Sequence, residues 1–159
     1  MRISFDLDDT LVCYRADVPQ EPRLSWFLRL LVDDGPLRQG TPELIRQLRQ
    51  RGWEIWLYTT SNRSPAAVRR WLRWHGIRID GMVNQDAHDR HLRRSPQDRP
   101  PSKNPAAFGI DLHVDDSDGV RMEGDQHGFQ VVVVTPDDLD WTVKVLRAAD
   151  ELMRRGDGR

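Results

Sequence analysis

Asp6-Leu7-Asp8-Asp9-Thr10 follows directly on the apolar stretch Ile3-Ser4-Phe5. Three carboxylates within four residues repel one another and fill no core. At the end of a strand they make sense if a positive charge sits between them, and a divalent cation with a phosphoryl-transfer reaction is the chemistry they suit. Asp6 can attack a phosphorus atom and form an acyl phosphate. Asp8, beyond the strand end, can protonate the leaving group and then activate water.

The remaining groups for such a reaction stand later in the chain. Tyr58 is followed by Thr59-Thr60-Ser61, Lys103 precedes Asn104-Pro105, and Leu112-His113-Val114 runs into Asp115-Asp116-Ser117. Thr59 offers a hydroxyl and Thr60 an amide to the transferring phosphoryl oxygens, and Lys103 adds a compact positive charge. Magnesium prefers hard oxygen ligands in octahedral geometry. The carboxylates of Asp6 and Asp116 with the main-chain carbonyl of Asp8 would serve it.

These groups need a scaffold that brings them to one place. Short apolar runs alternate with helical periodicity, the pattern of an α/β domain with a parallel sheet. Five strands are predicted: Ile3–Leu7, Glu54–Leu57, Gly81–Val83, Leu112–Val114 and Val131–Val134. In such sheets functional groups gather at the carboxyl ends of the strands, where Asp6, Thr59 and Asp115-Asp116 all fall. Thr41-Pro42-Glu43 reads as an N-cap, a proline in the first turn and an acidic start, with Leu44, Ile45 and Leu48 on one face. Ser64-Pro65 opens a second helix through Val68, Trp71 and Leu72. Asn104-Pro105 starts a short third. The last begins near Asp138, with Leu139, Val143, Leu146 and Met153 on one stripe, and the tail 155–159 is expected to fray. Two stretches fit no regular element: Thr10 to about Gly40, with a helical patch around Trp26–Leu31, and the polar, proline-containing stretch 84–102.

In order and spacing these four motifs resemble those of the haloacid dehalogenase-like (HAD) superfamily, over roughly residues 1–135. The resemblance implies a Rossmann-like five-stranded sheet in the order 5-4-1-2-3 with helices on both faces. It implies an aspartyl-phosphate mechanism with magnesium, hence a phosphatase or a phosphotransferase of the same family. Haloacid dehalogenases themselves lack the second aspartate of the first motif, so Asp8 favours phosphoryl chemistry. By analogy with related paired-acid motifs, Asp116 is expected to bind the metal directly, with Asp115 behind it. Family members usually carry a cap domain after the first motif or between the second and third. Neither interval looks large enough for a full cap, so the chain reads as a single capless or minimally capped domain over residues 1–159. Related capless enzymes accept bulky substrates or close the site by oligomerisation, so a homo-oligomer is one expectation.

Two other classes share parts of this pattern. A receiver-like module also uses an acid cluster, an aspartyl-phosphate and a lysine, but its acid pair follows the first strand and its lysine comes near the last. A non-catalytic phosphate-binding protein on the same fold would be expected to have lost motif residues, and none is lost.

Size and composition set wider bounds. The 159 residues suffice for one domain with a sizeable core. A formal net charge of -1 points to no nucleic acid or membrane partner, and nucleic acid enters only as a possible substrate of the phosphatase reading. Cys13 is the single cysteine, so no internal disulfide forms and a reducing compartment is expected. With no long apolar run, and Met1 close before the first predicted strand, the cytoplasm is the expected location. Asp9 reads as a local or solvated residue, Thr10 as bonded within its turn, and Asp118 as a turn residue before Gly119. His88 and His91 read as solvated, and Trp71 and Trp74 as core. Arg90, Arg93, Arg94 and Arg99 either steer a polyanionic substrate or face solvent.

Overall fold

The computed structural model describes residues 1–22, 35–94 and 100–157. Its strands are β1 (Arg2–Phe5), β2 (Glu54–Tyr58), β3 (Gly81–Val83), β4 (Leu112–Asp115) and β5 (Gln130–Val133). They form one parallel sheet in the order β3-β2-β1-β4-β5, which is the expected 5-4-1-2-3 read from the other edge. The helices are α1 (Thr41–Gln50), α2 (Pro65–Trp74), α3 (Gln85–Arg94), α4 (Asp118–His127) and α5 (Trp141–Asp157), with a 3₁₀ turn at Pro105–Phe108. The fold is α/β and Rossmann-like.

Strand alternation decides what each face carries. Ile3, Phe5, Ile55, Leu57, Leu112 and Val114 face one side, where they pack with Leu44 and Leu48 of α1, Val68 and Trp71 of α2, and Trp141 and Val145 of α5. Each such side chain taken out of water stabilises the fold by about 1.5–3 kcal/mol. On the other face Tyr58 packs with Val83 and Ile110, and against Trp56, Ala87 of α3 and Phe108. This second face also holds Ser4 and His113, both fully buried, so it has a polar seam directly beneath the strand ends. β1 is central, and the chain leaves it in opposite directions to β2 and β4. This reversal of strand order opens a crevice at its carboxyl end.

Several local expectations are corrected. β1 ends at Phe5, not Leu7, although the Asp6 amide still donates to Val114 O at 2.9 Å. Gly40, with φ of 86°, precedes α1, and Thr41 is already helical, its hydroxyl donating to Arg38 O at 2.6 Å. Within 84–102, Gln85–Arg94 form α3 rather than a loop, started by Asn84, whose side chain accepts from the Ala87 amide at 3.1 Å. Asp118 opens α4, and the Ser117 hydroxyl caps it by accepting from Gly119 N. The last helix begins at Trp141, and its buried stripe is Trp141, Val145 and Ala149, whereas Leu139 and Val143 are exposed. Trp74 is exposed while Trp71 is buried. The Trp26–Leu31 patch, Arg99 and the last two residues of the tail lie outside the described residues.

The segment after β1 is tied to the body of the fold by Arg38, which is 2 % exposed. Its guanidinium donates to Thr135 O at 2.7 Å and Asp138 O at 2.9 Å, and lies 4.7 Å from the Trp141 ring centroid. Among the described residues no helix is long and apolar enough to cross a membrane.

Candidate active site

At the carboxyl ends of β1 and β4 the acidic residues come together. One carboxylate oxygen from each of Asp6, Asp115 and Asp116 lies within 4.8 Å of the others. Lys103, 4 % exposed, enters beside them from the stretch before β4. Its Nζ stands 2.8 Å from Asp6 Oδ1 and 2.6 Å from Asp115 Oδ2. A buried cation between two carboxylates offsets much of the cost of desolvating all three.

Asp115 is fully committed. Oδ1 accepts from the Ser117 amide at 2.9 Å, and Oδ2 accepts from both Lys103 and His113 Nε2, the latter at 2.9 Å. His113 and Asp115 are two apart on β4 and so share a face. The chain continues from His113 Nδ1 to Ser4 Oγ at 2.8 Å. A carboxylate only accepts, so Nε2 carries the proton, and a neutral ring then accepts at Nδ1 from the Ser4 hydroxyl. Burial drives the His113 pKa down, consistent with that neutral form. Burial alone would raise Asp115, but the His113 hydrogen bond and the Lys103 charge outweigh it and hold it well below the usual carboxylate range.

Asp6 behaves oppositely. Burial, aided by the Asp115 charge, pushes it up to about 6 even though Lys103 pulls the other way. The Lys103 contact is an ion pair without hydrogen-bond alignment, and Asp6 Oδ1 is a buried oxygen with no aligned donor. Asp116 is half-buried, and its pKa is also raised, by burial first and then by Asp115. An under-satisfied buried carboxylate oxygen among all-oxygen donors fits a hard divalent cation such as magnesium. Asp6 and Asp116 are the carboxylates with capacity left to hold it.

Comparison with known proteins bears on the fold. No family model matches the chain, and no curated protein matches it. Among solved structures it is similar to a chain of a Pnkp1/Rnl/Hen1 complex, with a TM-score of 0.51 and 18 % identity over 83 % of this chain. It spans only 45 % of that chain's length. It is also similar to a predicted HAD-like family hydrolase from Porphyromonas gingivalis, with a TM-score of 0.50 and 13 % identity, covering 96 % of this chain and 97 % of the other. The likeness is one of fold. The parallel sheet and its strand order are those of a HAD-like neighbour.

The other expected site residues take varied positions. Thr59 and Thr60 follow β2 directly, next to β1. The Thr59 hydroxyl stays within its own turn, accepting from the Ser61 amide at 3.2 Å and donating to Ser61 Oγ at 3.3 Å. Thr60 is exposed. Asp8 is not in the oxygen cluster; its carboxylate is gripped by Arg63, Nη1 to Oδ2 at 2.7 Å and Nη2 to Oδ1 at 2.8 Å. Asp9 is exposed and left-handed, with φ of 56°, a conformation aspartate tolerates at a tight turn. The Thr10 hydroxyl, expected to bond within that turn, is buried with no hydrogen-bond partner among the described residues.

Four residues near the site were not singled out from sequence. Arg63 and His113 are two of them. Tyr58 and Ser4 are the others. Tyr58 Oη accepts from the Asn104 amide at 2.9 Å and meets His88 Nδ1 at 2.6 Å. His88 is therefore buried and bonded rather than solvated, and its pKa is lowered by that burial. Burial raises the Tyr58 pKa, so its O–H is retained and donates to His88. The Asn104–Tyr58 contact fixes the backbone next to Lys103 to the last residue of β2. Alternation along β2 and β4 would have flagged Tyr58 and His113 as opposite-face residues, but no local pattern names their partners.

Proposed function

We propose that the protein is a magnesium-dependent phosphomonoester hydrolase working through an aspartyl-phosphate on Asp6. The single observation that carries this reading is the buried set Asp6–Lys103–Asp115 with Asp116 beside it, at the strand ends of a HAD-like fold. Asp6 attacks phosphorus as the bond to the leaving oxygen breaks, and Asp8 gives that oxygen its proton. Asp8 then takes a proton from water, the water oxygen attacks the acyl phosphate, and inorganic phosphate leaves with Asp6 restored as a carboxylate. Lys103 balances charge on Asp6 and on the phosphoryl oxygens, while the Thr59 hydroxyl and Thr60 amide orient them. Asp115, saturated by Lys103, His113 and Ser117, holds Lys103 in place, and Asp6, Asp116 and the Asp8 carbonyl would hold magnesium. When bound, the ion supplies Lewis-acid stabilisation of the transferring phosphoryl group.

The chain is then one catalytic domain without a full cap, acting on a phosphorylated substrate, with small metabolites, a phosphoprotein and a nucleic-acid end all compatible. The test is phosphate release from a generic aryl phosphate with and without magnesium. Activity that needs the ion and is lost in Asp6→Asn supports it; a fully active Asp6→Asn removes it.

A further inference from the structure

Asp8 has to present one carboxyl oxygen to the leaving group, yet its side chain is 42 % exposed, although the residues around it, Leu7, Thr10 and Leu11, are buried. A lone carboxylate there would rotate freely. Arg63 prevents this with a two-pronged grip on both oxygens, at 2.7 and 2.8 Å, and is the less exposed partner at 25 %. A planar fork matched to a planar carboxylate fixes orientation as well as distance. Arg63 is itself held, because Nη2 also donates to the Tyr14 hydroxyl at 3.0 Å and Nη1 reaches Ser61 Oγ at 3.5 Å. Ser61 belongs to the turn that Thr59 opens. The grip therefore ties the proton donor after β1 to the phosphate-side turn after β2.

We infer that Arg63 is a positioning residue for Asp8, setting the carboxyl's angle to the leaving oxygen; this rests on the role proposed for Asp8 above. On substrate entry one of the two N–H···O contacts gives way, the freed oxygen takes up a proton from solvent, and that proton passes to the leaving oxygen as its bond to phosphorus breaks, leaving Asp8 a carboxylate again. The remaining contact keeps the carboxyl aligned. Arg63 adds no proton and makes no bond to phosphorus.

Leaving-group dependence tests this, because proton donation matters for a poor alkoxide leaving group and hardly at all for nitrophenolate. Values of kcat/KM, which report the first chemical half, are measured for an alkyl phosphate and for p-nitrophenyl phosphate in wild type, Arg63→Gln, Arg63→Lys, Asp8→Asn and the Arg63→Gln/Asp8→Asn double variant. The expected result is a loss of about 10- to 100-fold on the alkyl phosphate in Arg63→Gln but under about threefold on the aryl phosphate, within the range that general acid catalysis supplies. Arg63→Lys, which keeps charge and loses the fork, falls between and carries the test if Arg63→Gln fails to fold. In the Asp8→Asn background the Arg63 substitution costs nothing further. Equal losses on both substrates, or losses that add to those of Asp8→Asn, overturn the inference and make Arg63 a phosphate contact. If Asp8→Asn itself shows no leaving-group bias, the acid role of Asp8 fails and the inference falls with it, a result distinct from an Arg63 effect that is merely uniform.

Discussion

Lys103 Nζ lies 2.6 Å from Asp115 Oδ2, and both side chains are almost wholly buried, at 5 % and 2 % exposure. They come from positions 12 residues apart, on the approach to β4 and at its end. Coulomb attraction keeps the Lys103 pKa above its ordinary value although burial acts against it. Asp6 shares the same ammonium at 2.8 Å, so one cation serves two carboxylates and leaves the second of them under-neutralised. That imbalance is the ground for the divalent cation in the proposed reaction.

Removing the shared cation should be costly. Lys103→Met leaves two buried carboxylates facing each other and is expected to destabilise the fold by about 3–5 kcal/mol, the range for breaking a buried ion pair. Turnover should drop by about 100-fold or more, since a charge aimed at the transferring group is lost. Denaturant unfolding with and without magnesium checks this: the ion should restore part of the stability and little of the turnover.

The Ser4–His113–Asp115 chain gives a graded expectation. His113→Leu removes one of the two donors on Asp115 Oδ2, which keeps Lys103, and leaves the buried Ser4 hydroxyl without its His113 partner, at about 1–3 kcal/mol for that unmet group. His113→Gln can still reach Asp115 with its amide N–H and should lose distinctly less. Urea midpoints of the two variants check the ranking. Equal losses would mean that packing, not the Asp115 hydrogen bond, is what His113 contributes.

Magnesium binding should depend on pH through Asp6. Its carboxyl is raised to about 6, chiefly by burial. A cation takes only the carboxylate, so protons compete, and apparent affinity should fall by up to about tenfold per pH unit below 6 while staying flat above it. In the metal-free protein the raised Asp6 contributes stability that is present below the unfolded pKa and is lost as pH rises through about 6. The buried neutral rings of His113 and His88 work the other way, since their lowered pKa values cost stability as pH falls through the ordinary histidine range. The difference in melting temperature with and without magnesium cancels the histidine contributions, which both forms share, and leaves that of Asp6. It should be large near neutrality and shrink towards about pH 5.

How much of this was legible in the chain varies with the kind of interaction. Strands were readable because Ile3, Phe5, Ile55, Leu57 and the Val131–Val134 run are apolar and partly β-branched, and the acids standing just past them marked the sheet's working end. Helix α3 was not, because QDAHDRHLRR has no apolar stripe and buries only His88, so a histidine bonded to Tyr58 stands where a leucine would have signalled a helix. Helix α4 was hidden by Gly119 and Gly124, yet the Cβ that any other residue would add at position 124 would sit 2.6 Å from Phe129 O. The stripe of α5 was half right: Leu146 and Met153 pack against the core, whereas Leu139 precedes the helix and Val143 faces solvent. Within the site, the gathering of Asp6, Lys103, Asp115 and Asp116 at one place was legible from motif order, but the Asp8–Arg63 pair joins residues 55 apart, and nothing local in either segment specifies it.

The most direct measurement of the central claim is to trap the acyl phosphate. Protein turning over an aryl phosphate with magnesium is quenched in acid and reduced with borohydride, which converts an aspartyl-phosphate to homoserine, and the N-terminal peptide is sequenced by mass spectrometry. The account predicts homoserine at position 6, more of it in Asp8→Asn, where the water-activating base is gone, and none without substrate. Homoserine at another aspartate, or brisk phosphate release with an unmodified Asp6 under every quench, would contradict it.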